Sequence, residues 1–365
     1  MDKTIVHSYC IIALLLILSL NCHAENATNV FDIRNECNTV EGYVAVVLFS
    51  LLLLYSIVGN VLLMVVFCSR DNLYSRAFII IASQIIVCSF LNFIPQAAIV
   101  VLKIVRNKNF GTWIYRIFSV LSTFSFFVSL HLTFLLAMNR LIAICFPKFN
   151  AFFESMKFYF LLIFLWLSGF VISLVEFHYC IKIFNVSNFK WSFDCTKRTP
   201  ESGAAFMKIR YAWTLAIPIA MFAIYILIFC SMRNKRKNVS NLCMVNGYEH
   251  KRTIATSKYE RMMLIQAVFV CGVMEIQIFC FNFLSKLTIK LVGKEVEIFV
   301  NILTNCFVIF NAAVLPTANL IFVKRFRERV KKTFIELLFK IKAAQSRSTV
   351  VPITSITTKK THRIS

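Results

Sequence analysis

Long apolar stretches separated by short polar segments dominate the chain. Seven of them are about as long as the roughly 20 residues that an α-helix needs to cross the hydrocarbon of a bilayer. They are residues 43–68, 77–102, 114–142, 158–178, 211–232, 262–284 and 296–323. Because backbone groups in lipid must hydrogen-bond internally, helices are the expected spanning form. The pattern therefore predicts an all-α membrane protein whose seven-transmembrane helix bundle occupies residues 43–323.

The N-terminus predicts a secretory signal peptide at residues 1–24. Lys3 gives a basic start, residues 11–20 are apolar, and Ala24 is a small residue suited to cleavage. The apolar stretch is short for a membrane span, so an uncleaved anchor is the alternative. Residues 25–42 then form an extracellular segment that contains a glycosylation sequon at Asn26.

The C-terminus predicts a cytoplasmic amphipathic helix at residues 324–342, which are rich in Lys and Arg. Its apolar residues recur at helical spacing, and they are Phe326, Val330, Phe334, Leu337, Leu338 and Ile341. A basic amphipathic helix of this kind suits the anionic inner surface of a membrane. Residues 343–365 are rich in Ser and Thr, which predicts a disordered cytoplasmic tail that could be phosphorylated.

The amount and the position of the charged residues indicate a membrane protein and not a nucleic-acid-binding protein. The net charge is +23, but only 16% of the residues are charged and 59% are hydrophobic. The positive residues lie in the loops and the tail, so lipid is the expected partner and nucleic acid is not. More Lys and Arg residues lie in the segments that are cytoplasmic if the N-terminus is outside, which predicts that orientation. The two longest loops are then extracellular (179–210) and cytoplasmic (233–261).

Patterns that indicate catalysis or a bound metal are missing from the sequence. It has no phosphate-binding loop, no zinc-ligand spacing and no Ser/His/Asp set. The chain is therefore expected not to be an enzyme and to need no cofactor or metal. A channel or transporter is a less favoured alternative, because paired repeats and several charges at membrane depth would be expected of one.

Polar, proline and tryptophan residues recur at defined places inside the spans. They include the structural positions Asn60, Trp166, Pro218 and Pro316, and Asn139-Arg140 closes the third span with Pro147 downstream. These positions resemble those of G-protein-coupled receptors. A more detailed pattern consists of Asn139-Arg140-Leu141, Pro147, Cys180, Trp191 to Cys195, Glu260, Gln266 and Asn319. It resembles nematode serpentine chemoreceptors of class X.

This resemblance implies a receptor that binds a small extracellular ligand and activates a heterotrimeric G-protein through Asn139 and Arg140. It also implies a plasma-membrane location, and a sensory cilium is a further expectation. A simple positive anchor is the alternative role of Arg140. A rhodopsin-like neuropeptide receptor is the alternative function, since the predicted outer loop carries several Lys and Arg residues.

The chain departs from the rhodopsin-like pattern at several positions. No Cys begins the third span, Cys88 lies near the position of the usual acidic residue of the second span, and the sixth span lacks a Trp-x-Pro motif. The seventh span reads Leu315-Pro316-Thr317-Ala318-Asn319. The activation mechanics of rhodopsin-like receptors therefore do not transfer in detail.

Six polar residues in or near the spans are candidates for a ligand pocket. They are Glu275, Gln277, His131, Glu176, Asn301 and Asn305, and His178 is a further candidate. A charged or polar side chain at membrane depth should face the bundle interior and have a partner. A structural hydrogen bond is the alternative for each of them. Phe124, Phe126 and Phe127 could line an apolar pocket, with core packing or lipid contact as the alternative.

The predicted outer loop also holds two candidate modification sites. A disulfide between Cys180 and Cys195 is favoured in an oxidising compartment. Pairing of either cysteine with Cys37 and free thiols are the alternatives. Asn185 begins a sequon in this loop, whereas the sequon at Asn238 is predicted to face the cytosol and to stay unmodified.

Overall fold

A computed structural model describes residues 33–69, 74–101, 104, 112–195, 200–243 and 250–348. The predicted signal peptide, the Asn26 sequon and the tail beyond residue 348 lie outside these residues. The α-helices are α1 (Ile33–Cys68), α2 (Arg76–Pro95), α3 (Thr112–Cys145), α4 (Met156–Tyr179), α5 (Pro200–Cys243), α6 (His250–Phe279), α7 (Ser285–Leu291), α8 (Glu297–Asn311), α9 (Val314–Phe322) and α10 (Lys324–Ser348). A hairpin of β1 (Ile181–Asn185) and β2 (Lys190–Asp194) lies between α4 and α5.

Six of these helices are long and apolar enough to cross a membrane, and α8 and α9 together form a seventh span that is bent by 68°. The prediction of a seven-transmembrane helix bundle is confirmed. Helix α5 extends beyond its predicted apolar span of residues 211–232 at both ends. It begins at Pro200 and continues to Cys243. About a third of the predicted outer loop and most of the predicted third cytoplasmic loop are therefore helical.

The bend between α8 and α9 has a local cause in Pro316. Proline has no backbone N–H, so the carbonyl of Ala312, four residues earlier, lacks its intrahelical donor. Asn60 Nδ2 donates to that carbonyl oxygen at 2.8 Å, and Ser89 Oγ approaches it at 3.5 Å. A Cβ on Gly59 would lie 3.2 Å from Pro316 Cγ, so the glycine permits this close approach of α1 and α9.

Helix α3 runs through the centre of the bundle, while α4 lies at its periphery. The buried residues of α4 form one stripe at helical spacing, consisting of Phe158, Leu162, Gly169, Ser173 and Glu176. Its other face exposes large apolar side chains such as Phe160, Phe164 and Phe170. An exposed apolar face on a spanning helix is the surface that lipid covers. The abundant Phe residues of α4 therefore serve mainly as lipid contacts.

The hairpin closes one end of the bundle, which we call the hairpin end. β1 and β2 pair antiparallel, with Ile181 opposite Asp194 and Asn185 opposite Lys190. A disulfide joins Cys180 to Cys195 across its base. Three buried aromatic residues of the hairpin, Phe184, Phe189 and Trp191, pack in one cluster with α1, α2 and α8. The hairpin is thus packed between the helices and is not a free loop.

The opposite end of the bundle carries α10, which turns away after Val323. Arg327 Nη1 donates to the carbonyls of Leu320 at 3.0 Å and Ile321 at 2.6 Å, which caps the C-terminus of α9. Helix α10 runs past the predicted boundary at residue 342 to Ser348. It buries Phe326 and exposes Phe334 and other apolar side chains.

Candidate functional site

A cavity of about 70 Å³ lies beneath the hairpin, between α2, α3, α5, α6 and α8. Most of the residues lining it have polar side chains, and apolar side chains complete its surface. The polar ones are Ser89, Asn92, Ser122, Ser125, Ser129, Lys182, Arg210, Thr214, Gln277, Asn282 and Asn311. Cys88, Phe126, Ile278, Phe281, Val308 and Ala312 complete the wall. A concave site in which polar groups converge among apolar side chains is the usual form of a small-molecule binding site.

Irregular helix turns contribute to the wall. Helix α6 passes into a π-helix at Cys280–Leu284, which contains the wall residues Phe281 and Asn282. Pro218 lies inside α5 and cannot donate to the carbonyl of Thr214, a wall residue one turn earlier. Such interruptions of helical hydrogen bonding are frequent at functional sites. The cavity is therefore placed where α5 and α6 depart from regular geometry.

Lys182 of β1 brings a positive charge into the wall from the hairpin. Its Nζ donates to Ser122 Oγ of α3 at 3.3 Å and lies 4.4 Å from the ring centroid of Trp191. No carboxylate oxygen lies within 4 Å of this Nζ in the part of the chain that the structure describes. Burial of the ammonium group lowers the pKa of Lys182 to about 8, while the Glu176 carboxylate opposes this shift and Arg210 adds to it.

Arg210 of α5 is the second cation in the wall, and its charge is compensated. Arg210 Nε donates to Glu176 Oε2 of α4 at 2.9 Å, and Thr123 Oγ1 of α3 donates to Glu176 Oε1 at 2.6 Å. Both charged side chains are almost fully buried, at 10% and 4% exposure. The guanidinium also lies over the rings of Phe193 and Phe127, at 4.5 and 5.5 Å. The pair ties α3, α4 and α5 together behind the cavity.

At the opposite end of the bundle, Asn139 is buried and Arg140 is partly buried at the end of α3. The Arg140 guanidinium carbon lies 4.7 Å from the ring centroid of Phe78 on α2. Tyr74 stacks on Phe78 and its hydroxyl donates to Asn319 Oδ1 of α9. Phe78 and Tyr74 therefore connect Arg140 to a hydrogen bond that joins the residues just before α2 to the seventh span.

The family model for "Serpentine type 7TM GPCR chemoreceptor Srv" matches residues 43–335. The chain belongs to the Srv chemoreceptor family. The expectation of a G-protein-coupled receptor is confirmed, and the protein is a multi-pass membrane protein of a family that is not an enzyme family. The family that matches is Srv, so the narrower resemblance to class X is not confirmed.

Squid rhodopsin has the same fold. Its crystal structure matches with a TM-score of 0.65 and 17% sequence identity, and the alignment covers 86% of this chain and 93% of the rhodopsin chain. No curated protein matches the chain. The rhodopsin match supports the architecture of this Srv receptor and carries no information about its ligand.

Among the six candidate pocket residues, Gln277 lies in the cavity wall. Its Oε1 is buried and has no hydrogen-bond partner among the described residues. Glu176 lies behind the wall, where it holds Arg210. Glu275 is partly exposed on α6 and is not among the wall residues.

His131 joins three helices outside the cavity wall. Trp213 Nε1 of α5 donates to His131 Nε2 at 3.1 Å, and Ser168 of α4 lies 3.2 Å from Nδ1. Because an indole N–H can only donate, Nε2 must accept and Nδ1 carries the proton that reaches Ser168 Oγ. The histidine is thus neutral and links α3 to α4 and α5.

Asn301 and Asn305 of α8 hold the hairpin. Asn301 Nδ2 donates to the Asn188 carbonyl at 2.8 Å, and Asn305 Nδ2 donates to the Phe189 carbonyl at 2.7 Å. Asn305 Oδ1 also accepts from Trp191 Nε1 at 3.1 Å. Phe189 has a positive φ of 50°, which is costly for a bulky residue. The bond from Asn305 and the burial of the Phe189 ring offset this cost.

The remaining predicted residues have distinct surroundings. Phe126 lines the cavity, Phe127 lies beneath Arg210, and Phe124 packs against Trp166 with ring centroids 5.6 Å apart. Asn185 is exposed at the end of β1, and its Oδ1 accepts from the backbone and the hydroxyl of Ser187. The side chains of Cys37 and Asn238 lie outside those described.

Sequence reasoning did not select Lys182, Arg210 or the serines of α3 as cavity residues. One signal was present for the serines, because Ser122, Ser125 and Ser129 recur at helical spacing in an otherwise apolar span. Both cations lie in the predicted outer loop (179–210), outside the apolar stretches, and therefore read as ordinary loop charges. Only the insertion of the hairpin into the bundle brings Lys182 against α3.

Proposed function

We propose that this chain is a chemosensory receptor that binds a small extracellular ligand in the cavity beneath the hairpin and activates a heterotrimeric G-protein at the opposite end. The observation that carries the proposal is the polar cavity itself, whose wall is shared by five helices and the hairpin. A ligand there touches all of these elements at once. It can therefore favour one helix arrangement over another, provided that it binds the two with different affinity.

Helix α3 offers the physical connection between the two ends. It contributes Ser122, Ser125 and Ser129 to the cavity wall and carries Arg140 at its far end, against Phe78. A shift of α3 relative to α2 would change the Arg140 contact and the neighbouring Tyr74–Asn319 hydrogen bond. Asn139 and Arg140 are accordingly the proposed coupling residues.

Orientation and location follow from the same proposal. The hairpin end, with its disulfide and the sequon at Asn185, faces the extracellular side, and the basic α10 lies along the inner membrane surface. The receptor resides in the plasma membrane, and a sensory cilium is its proposed site of action. The small volume of the cavity favours a small molecule over a neuropeptide, which would need a wider opening.

Replacing Arg140 by alanine should abolish ligand-evoked signalling without reducing the amount of receptor at the cell surface. The test expresses the full chain with a set of G-protein α subunits and records second-messenger output against volatile, small water-soluble and peptide ligands. Lys148→Ala, which removes an exposed cation near the same end, is the matched control and should retain the response. We expect Arg140→Ala to lose at least tenfold in maximal response.

Two outcomes would contradict the proposed function. If the Arg140→Ala receptor signals like the unmodified chain, Arg140 has no role in G-protein coupling. Ligand- or voltage-dependent current in the same cells, without any second-messenger response, would favour a channel instead.

A further inference from the structure

The wall of the cavity beneath the hairpin carries two positive charges, and only one of them is compensated by a carboxylate. Arg210 is neutralised by Glu176 at 2.9 Å, whereas Lys182 has no carboxylate oxygen within 4 Å among the described residues. None of the wall residues is acidic in the described part of the chain. A cationic ligand would therefore meet the uncompensated Lys182 ammonium group and no acidic wall residue, while an anion would meet an ammonium group without a carboxylate.

The surroundings of Lys182 leave it able to bind a ligand. An ammonium group has three N–H donors, and the structure gives this one a hydrogen bond to Ser122 Oγ and a position over the ring of Trp191. The hydroxyl and the ring fix the side chain without neutralising it. Lys182 is thus held at the wall as a point charge, which is how lysine typically receives an anionic group.

Gln277 supplies a second, independent indication of a ligand. Its side chain is buried at 6% exposure, lines the same cavity and has an Oε1 without a partner among the described residues. A buried amide group without a partner costs free energy, so a ligand that hydrogen-bonds with this amide would gain affinity. An ionised carboxylate only accepts hydrogen bonds, so it pairs with the amide turned over, with the NH₂ group donating from the place of Oε1.

The size of the cavity limits the ligand. A single water needs about 10–15 Å³ measured in this way, so 70 Å³ holds an organic molecule of only a few non-hydrogen atoms. The hydroxyls of Ser89, Ser122, Ser125 and Ser129 can serve as further hydrogen-bonding partners.

We propose that the cavity binds a small carboxylate, whose negative charge is received by the Lys182 ammonium group and whose oxygens also accept a hydrogen bond from the Gln277 NH₂ group. This inference rests on the proposed receptor function for its biological meaning, but the binding itself does not depend on G-protein coupling. Glu176 orients Arg210 and keeps that cation from competing for the ligand.

The full chain, purified in detergent, tests this directly by its thermal unfolding midpoint and by calorimetric titration at constant ionic strength. The probes are acetate, propanoate and butanoate, with propanamide and propylamine as neutral and cationic matches of propanoate. We expect at least one carboxylate to bind and to raise the midpoint, and the amide and the amine not to. Lys182→Gln should lower carboxylate affinity at least tenfold, while Lys208→Gln, which removes an exposed positive charge of α5, should leave it unchanged.

The pH dependence of binding gives a readout that does not rely on a variant. The charged groups that face Lys182 are Arg210 of α5 and Glu176 of α4, and the Cys88 thiol of α2 shares the wall. The pKa of Lys182 is lowered to about 8, so its protonated, binding-competent fraction falls about tenfold between pH 7 and pH 9. The probe stays ionised throughout, and its affinity should therefore fall about tenfold over that range.

The outcomes separate this inference from the proposed function. Carboxylate binding that Lys182→Gln removes, in a chain that never signals, would support the anion site and contradict the receptor function. Signalling evoked by neutral or cationic ligands, with no binding of any of the three carboxylates, would overturn the anion site alone. Equal binding of propanoate and propanamide, or affinity that is the same at pH 7 and pH 9, would also overturn it.

Discussion

Glu176→Gln is expected to lower the free energy of unfolding by about 3–5 kcal/mol, which makes it one of the most damaging single substitutions in the chain. The carboxylate is the counter-ion of Arg210, and both side chains are nearly inaccessible to solvent. Removing one partner of a buried ion pair leaves the other charge uncompensated in a medium that solvates it poorly. The hydrogen bond from Thr123 to Glu176 would be weakened as well.

The exposed ion pair of the hairpin provides the matched control. Lys190 Nζ lies 3.1 Å from Glu297 Oε1, but these side chains are 38% and 22% exposed. Solvent screens such a pair, so Glu297→Gln should cost no more than about 1 kcal/mol. Thermal unfolding of both variants in detergent, with the unmodified chain alongside, measures the difference.

A double variant separates loss of charge balance from loss of packing. Glu176→Gln combined with Arg210→Gln removes both charges, so it should recover part of the stability that Glu176→Gln loses. If the double variant is less stable than either single variant, the buried charge is not the cause of the loss. Equal stability of Glu176→Gln and Glu297→Gln would contradict the importance of the pair altogether.

The number, type and order of the spans could be predicted because each depends on a local property of the chain. An apolar run of sufficient length forms a helix in lipid wherever it lies, and Pro316 removes a backbone donor whatever its neighbours are. The need of Asn60 for a polar partner on another helix was also predictable. Its partner, the Ala312 carbonyl, was not, because that choice depends on the distance between α1 and the bend.

The candidate site was less predictable, because polar residues of two kinds have the same appearance in a sequence. His131, Asn301 and Asn305 join helices or hold the hairpin, while Gln277 lines the cavity. All four are single polar residues in apolar surroundings. What separates them is whether a protein group already satisfies the side chain, and that depends on contacts between residues far apart in the chain.

The ends of helices that continue past the apolar stretches could not be predicted from hydropathy either. Hydropathy marks the part of a helix that lies in hydrocarbon, whereas α5 continues at both ends through polar residues. The hairpin shows the same limit, since its strands are short and contain Lys182, Lys190 and Asp194. Its insertion into the bundle depends on the aromatic cluster with α1, α2 and α8 and on the two asparagines of α8.

Gly169→Ala is expected to cost about 1–3 kcal/mol, the range typical of overpacking a close contact. A Cβ at this position of α4 would lie 2.4 Å from Val128 Cγ2 and 3.4 Å from the Val128 backbone nitrogen. Val128 is fully buried in α3 and is stiff because it branches at Cβ. The helices must therefore separate, which also stretches the contact between His131 and Ser168.

Val128→Ala should rescue Gly169→Ala, because it removes the methyl group that the new Cβ meets. Val128→Ala alone should destabilise the chain through the space that it leaves, so the two substitutions together should cost less than the sum of their separate effects. Gly272→Ala is the control, since its added Cβ would meet nothing within 4 Å and alanine favours a helix. The measurement is the thermal unfolding midpoint of Gly169→Ala, Val128→Ala, the double variant and Gly272→Ala. If Gly169→Ala is as stable as Gly272→Ala, the close contact of α3 with α4 does not limit the packing of this bundle. The same conclusion follows if the double variant loses the sum of the two separate losses in stability.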